Sequence, residues 1–148
     1  MFKPKKILVQ TDFSEYSDKA LQKALDIAKE EGSEILFFHV IHDDFQTCVV
    51  DYCFTVNEIE AIKSRMFKAA TENMQKQLDK FPLSKEVKVS TEVRNGVPYH
   101  EILKYQEEKN ADLIVIASHG RSGITGYFMG SVTSHVAKGA KCEVLLVK

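Results

Sequence analysis

Residues 112–139 read DLIVIASHGRSGITGYFMGSVTSHVAKG. The opening run, Asp112 to Ala117, is almost continuously apolar, the pattern of a parallel strand covered on both faces. Glycines follow at 120, 123, 126 and 130. Glycine lets backbone take positive φ and approach a ligand closely. A helix is expected from about Ser131, with Val132, Val136 and Ala137 on its buried side and its stop at Gly139. Strand, glycine-rich loop and helix together form half of a βαβ unit.

Outward from this stretch the same alternation repeats. Lys6 to Gln10 (KILVQ) and Glu34 to Val40 (EILFFHV) are apolar runs of central-strand type. Glu86 to Arg94 (EVKVSTEVR) alternates instead, which suggests a strand near an edge. Glu143 to Val147 (EVLLV) is the last strand. Between the strands lie helical patterns. Tyr16 to Glu31 carries Ala20, Ala24, Ile27 and Ala28 on one face, with Ser14 or Ser17 as its cap and Gly32 as its end. From Thr55 to Lys80, Ile59, Ile62, Met66, Ala70, Met74 and Leu78 recur every three or four residues, and Met66 and Met74 read as packed core positions. Pro98 suits the first turn of a helix running to about Asn110, with Ile102 and Leu103 facing inward. The order βαβαβαβαβ predicts a single α/β domain over residues 1–148: an open five-stranded parallel sheet with helices on both faces.

Composition is consistent with one ordinary domain. The chain has 148 residues, is 44% hydrophobic and 28% charged, and carries a net charge of −1. That balance argues against a general nucleic-acid binder and against electrostatic membrane anchoring. No apolar run approaches the roughly 20 residues needed to cross a bilayer, and the basic start MFKPKK lacks a signal-peptide core, so a cytoplasmic location is expected. Three cysteines, Cys48, Cys53 and Cys142, read as free thiols. Cys48 and Cys53 lie near His42, Asp43, Asp44 and Asp51, but the spacing matches no common zinc pattern. The long connection Ile41 to Phe54 reads as a polar loop of functional or irregular character.

Ligands of open α/β sheets sit beyond the carboxyl ends of the strands. Here those ends offer Gln10-Thr11-Asp12, Val40 and Ala117-Ser118-His119-Gly120. Gly130-Ser131-Val132-Thr133 opens a helix whose first amides lack intrahelical partners and whose dipole adds positive charge, the makings of a phosphate site. The Ser131 and Thr133 hydroxyls can add hydrogen bonds. No Asp or Glu occurs from Ser118 to Lys141, while Arg121, Lys138 and Lys141 do. The plainer alternative is a glycine-rich βα loop with a serine-started helix and no ligand. Asp12 likewise reads either as a helix cap or as a ligand contact. His119 has no evident acid to orient it as a general base. His39 reads as a packed strand residue, and His42, His100 and His135 share no metal-ligand spacing. The signatures of P-loop and dinucleotide-binding proteins are both missing.

The chain resembles the universal stress proteins of the UspA type over its whole length. The resemblance lies in ILVQTDFSEYSDKAL, in Gly96-Val97-Pro98 with Ile102, and in ADLIVIASHGRSGITGYFMGSVTSHVAKGAKCEVLLVK. ATP-binding members carry Gly, two residues, Gly, nine residues, then Gly-Ser or Gly-Thr. Gly120, the residues Arg121 to Met129, and Gly130-Ser131 match this, whereas Ala117 stands at the first glycine and Gln10 precedes Thr11 where a proline or small residue is frequent. The resemblance implies a Rossmann-like, adenine nucleotide alpha-hydrolase-like fold with strand order 3-2-1-4-5. It also implies ATP as ligand, with or without Mg²⁺. Asp12 and the Thr11 backbone would then face the adenosine, and Val40 the adenine. Ala117, His119 and Gly120 would wrap the phosphates through backbone groups, and Gly130, Ser131, Val132 and Thr133 would hold them from the helix end. A homodimer through Glu143 to Val147 is implied as well, and an exposed apolar edge strand invites such pairing. Three functions follow as candidates: a nucleotide-binding stress or signalling protein, a dimerisation module without nucleotide, and a slow ATPase.

Overall fold

The computed structural model describes residues 1–42, 55–120 and 129–148. The expected order of elements is present. The strands are β1 (Lys6–Gln10), β2 (Glu34–His42), β3 (Val89–Gly96), β4 (Leu113–Ala117) and β5 (Glu143–Val147). The helices are α1 (Glu15–Glu31), α2 (Val56–Asp79), α3 (Pro98–Lys109) and α4 (Ser131–Gly139), with a 3₁₀ turn at Pro82–Lys85. All strand pairs are parallel, in the order β3-β2-β1-β4-β5. This is the 3-2-1-4-5 order expected from the resemblance.

Alternation along the strands sorts the core into two clusters. Ile7, Val9, Ile35, Phe37, Leu113, Val115 and Ala117 face α1 and α2, packing with Leu21, Leu25, Met74 and Leu78. Leu8, Leu36, Phe38, Val40, Ile114 and Ile116 face the other way, packing with Ile102, Tyr105 and Val136 of α3 and α4. The central strands are covered on both faces, so they can be apolar without a break.

Local chemistry sets the helix ends. Ser14 caps α1, its Oγ accepting the Ser17 N–H, and Gly32 ends it in the left-handed region at φ 72°. Thr55 and Glu58 form a capping box at the start of α2, and the Thr55 backbone N–H holds the Glu58 carboxyl below its ordinary pKa. Pro98 occupies the first turn of α3 as expected, and Asn110 ends the helix at φ 54°.

Four expectations are corrected. β2 runs to His42 rather than Val40, so Ile41 and His42 pair with β3 instead of opening the long connection. β3 begins at Val89 rather than Glu86, because the 3₁₀ turn runs on until Glu86 N–H meets Leu83 O at 3.0 Å. Met66 is 38% exposed, and Ile62 is only half-buried. The 24 residues of α2 extend for about 36 Å, against about 26–30 Å for the eight and nine residues of β3 and β2 on which it packs, so part of the helix overhangs the sheet. Ala137 is exposed, leaving Val136 and Thr133 as the buried residues of α4.

Candidate functional site

The strand order reverses at β1. The chain leaves β1 for β2 and β3 on one side, then returns to place β4 and β5 on the other. Connections on opposite faces diverge there and open a crevice at the carboxyl ends of β1 and β4. A cavity of about 300 Å³ lies in this position.

The wall from β1 is a tight turn. Thr11 is fully buried, and both its backbone groups are engaged: its N–H donates to Phe38 O at 2.9 Å, and its carbonyl accepts from His39 Nδ1 at 2.7 Å and Gln10 Nε2 at 3.0 Å. Phe13 follows in the left-handed region at φ 65° and packs on the His39 ring, centroids 4.4 Å apart. Asp12 Oδ1 accepts the Ser14 N–H at 3.0 Å and the Ser14 hydroxyl. The α1 cap is Ser14, and Asp12 braces that cap from one turn back.

The opposite wall comes from β4 and α4. A Cβ placed on Gly120 would lie 2.8 Å from Asp12 Oδ2, so the backbone passes close to the carboxylate, and a side chain here would have to turn Asp12 aside. Gly130 is different: its φ is −58°, and a Cβ there would meet nothing closer than 3.8 Å. Gly130 N–H donates to Ser118 O at 3.0 Å, which returns the chain to the end of β4. The Thr133 hydroxyl donates to Ala117 O at 2.7 Å and clamps α4 to the strand. This corrects the expectation that the Thr133 proton is available to a ligand. The first helical bond of α4 runs from Ser134 N–H to Gly130 O, and no side chain caps the helix. The amides of Ser131, Val132 and Thr133 therefore have no intrahelical acceptor, and they lie at the positive end of the dipole.

Nine of the ten residues named from the sequence line this one cavity: Asp12, Val40, Ala117, His119, Gly120, Gly130, Ser131, Val132 and Thr133. Thr11 is buried behind the wall. Gln10, Ser17, His39 and Pro98 also line the cavity without having been named as site residues. His39, read as a packed residue, does pack on Phe13, but it also faces the opening. Its place beside Val40, where the sequence put the end of the strand, was the available signal. Arg121 and the residues to 128, like Cys48, Cys53, Asp43, Asp44 and Asp51 in the Ile41 to Phe54 connection, lie outside the described residues.

Among the described residues, His119 has no acid that orients it as a general base. His119 Nδ1 is buried with no hydrogen-bond partner, and so is Ser118 Oγ; the His119 ring sits edge-on to Tyr16 at 5.5 Å. Cys142 lies outside the cavity, and burial pushes its thiol up to about 11, far from the range of a thiolate nucleophile. Among the described residues no group of His, Cys, Asp and Glu is placed to hold a metal ion, and no helix is long and apolar enough to cross a membrane.

The universal stress protein family model matches residues 3–148. Universal stress protein MJ0531 of Methanocaldococcus jannaschii is 35% identical over 144 residues, covering 97% of this chain and 82% of its own length. Universal stress protein YxiE of Bacillus subtilis is 33% identical, covering 97% of this chain and 98% of its own. The solved structure of protein MJ0577 superposes with a TM-score of 0.78 at 31% identity, over 99% of this chain and 97% of that one. Two further structures are complexes: a universal stress protein with cAMP (TM-score 0.64, 20% identity, 99% and 98% covered) and one from Archaeoglobus fulgidus with dAMP (TM-score 0.61, 19% identity, 99% and 100% covered). At those identities the likeness shows a shared fold, and the bound nucleotides are those of the two relatives. With the sheet order, the crevice and an end-to-end match all in agreement, this chain belongs to the universal stress protein family.

Proposed function

We propose that this protein binds an adenine nucleotide, ATP, in the crevice between β1 and β4, and that it acts in stress response or signalling as a homodimer joined through β5. The observation that carries the reading is the pairing of two backbone features across one cavity. Gly120 brings its backbone close to Asp12, and α4 opens at Gly130-Ser131 with uncapped amides. Together they make a concave surface suited to an anion. Family structures holding cAMP and dAMP support an adenine ligand. Mg²⁺ would accompany ATP as counter-ion, and Asp12 is the one carboxylate among the described residues lining the cavity. Binding rather than turnover is the proposed role, since neither His119 nor Cys142 is arranged as a base or nucleophile.

A second reading is favoured by one residue. Ala117 stands where ATP-binding relatives have glycine, which suits a dimerisation module without nucleotide. Ala117 is 6% exposed and packs in the cluster beneath α1, a placement that supports the first reading. Equilibrium titration with ATP decides between them. Saturable binding is expected, and its absence at millimolar ATP would sink the nucleotide reading. Mass spectrometry of small molecules released by denaturing protein purified without added nucleotide supplies an independent check.

A further inference from the structure

Asp12 of the Thr11–Asp12–Phe13 turn lines one side of the crevice, yet the side chain that secures the turn comes from α2. Gln77 is 3% exposed. Its Oε1 accepts the Thr11 hydroxyl at 2.6 Å, and its Nε2 donates to Ser17 Oγ at 3.0 Å and to Asp18 Oδ1 at 2.7 Å. Both amide protons and the amide oxygen are thus engaged. Beyond it, the Ser17 hydroxyl donates to Ser14 O at 2.7 Å, and Thr11 Oγ1 accepts the Phe13 N–H at 3.0 Å. That last bond matters because Phe13 is a non-glycine residue in the left-handed region, a conformation that persists only when its surroundings enforce it. Lys80 extends the network, reaching Asp18 Oδ2 at 3.0 Å, so the last turn of α2 is tied to the first turn of α1.

We infer that Gln77 is a positioning residue for the nucleotide crevice: it holds Thr11 and Ser17, and through them the strained turn that sets Asp12 against Gly120. The inference rests on the nucleotide reading above for its binding consequence. Its structural consequence, protection of the Phe13 amide, stands without it. Buried polar networks of this kind act as units, and removing one member leaves the others unsatisfied. Coupling between the crevice and α2 is also reciprocal: a ligand that stabilises the turn stabilises the α2 end as well.

The test compares Gln77→Met, which keeps length and removes every hydrogen bond, with Leu78→Ala on the same helix. Calorimetric ATP titration and amide exchange are read on both, alongside melting temperature. Gln77→Met should weaken ATP about tenfold and speed exchange at Phe13 and Ser14, in keeping with the loss of one or two hydrogen bonds. Leu78→Ala should lower the melting temperature while leaving ATP affinity within about twofold and Phe13 exchange unchanged. In the unmodified protein, ATP should slow exchange both at Phe13 and at Gln77 to Asp79; this arm decides the matter if Gln77→Met does not fold. Equal loss of affinity in the two variants, undiminished Phe13 protection in Gln77→Met, or no response of α2 to ATP overturns the inference. If the unmodified protein does not bind ATP, the nucleotide reading fails by itself, and Phe13 exchange in Gln77→Met then judges the positioning role alone.

Discussion

Gly120 and Gly130 lie on the same cavity for different reasons. A Cβ at 120 would lie 2.8 Å from Asp12 Oδ2, the movable end of a side chain, whereas one at 130 meets only ordinary contacts. Gly120→Ala should therefore shift Asp12 and cost the fold no more than about 1 kcal/mol. Gly130→Ala should leave denaturant unfolding nearly unchanged and weaken ATP binding, because Gly130 lines the cavity in which the ligand is proposed to lie. Paired urea unfolding and ATP titration on the two variants check both outcomes; a Gly130→Ala protein with undiminished affinity would remove that glycine from the proposed site. Cys142 gives a pH prediction at the same scale. Its thiol titrates near 11 in the folded chain against an ordinary value of 9.0, mainly through burial. The folded state then holds a proton that the unfolded chain releases, so this contribution is complete below about pH 9 and is lost as pH rises toward 11. Cys142→Ala should flatten part of the alkaline fall in stability, measured as denaturation midpoints between pH 8 and 11. The motif residues Gly120, Gly130 and Ser131 could be read from the sequence because their spacing is local. Gln77 could not, since its partner Thr11 is 66 positions away and nothing between them announces the contact.

For the elements, periodicity proved a good guide to type and a poorer one to depth. The apolar repeat of α2 reads evenly from Ile59 to Leu78, but Met74 is 1% exposed and Met66 is 38% exposed. A repeat records which face is apolar; how much of that face meets the sheet depends on the lengths of the two partners. Met74→Ala should accordingly cost about 2–5 kcal/mol and Met66→Ala well under half as much, measured by chemical denaturation. β3 was legible as an edge-type strand from its alternation, and its late start was not, because the 3₁₀ turn draws Glu86 out of the sheet. The caps Ser14 and Gly32 were legible because their chemistry is confined to one turn.

In the whole molecule, the strand order explains why residues from four separated segments meet. Each segment is unremarkable alone; reversal at β1 brings them to one crevice. The same order leaves β5 at an edge. Val147 O accepts the Ser118 N–H at 2.8 Å, so by alternation Glu143, Leu145 and Val147 direct their backbone groups to β4, and Val144 and Leu146 direct theirs outward. If the proposed dimer forms through this edge, Val144→Pro removes one outward donor without touching the β4 ladder. Light scattering should then report a monomer where the unmodified chain gives a dimer, with far-UV circular dichroism unchanged. A monomeric unmodified chain at micromolar concentration would contradict the dimer outright.

The two apolar clusters have a consequence for how the molecule comes apart. They share no side chain, and the sheet alone separates them. The crevice touches both: Ala117 belongs to one cluster and Val40 to the other, and both line the cavity. A molecule seated there works as a rivet through two plates: it fastens the α1–α2 layer to the α3–α4 layer at the end where the sheet is open, and loosening either layer must first expel it.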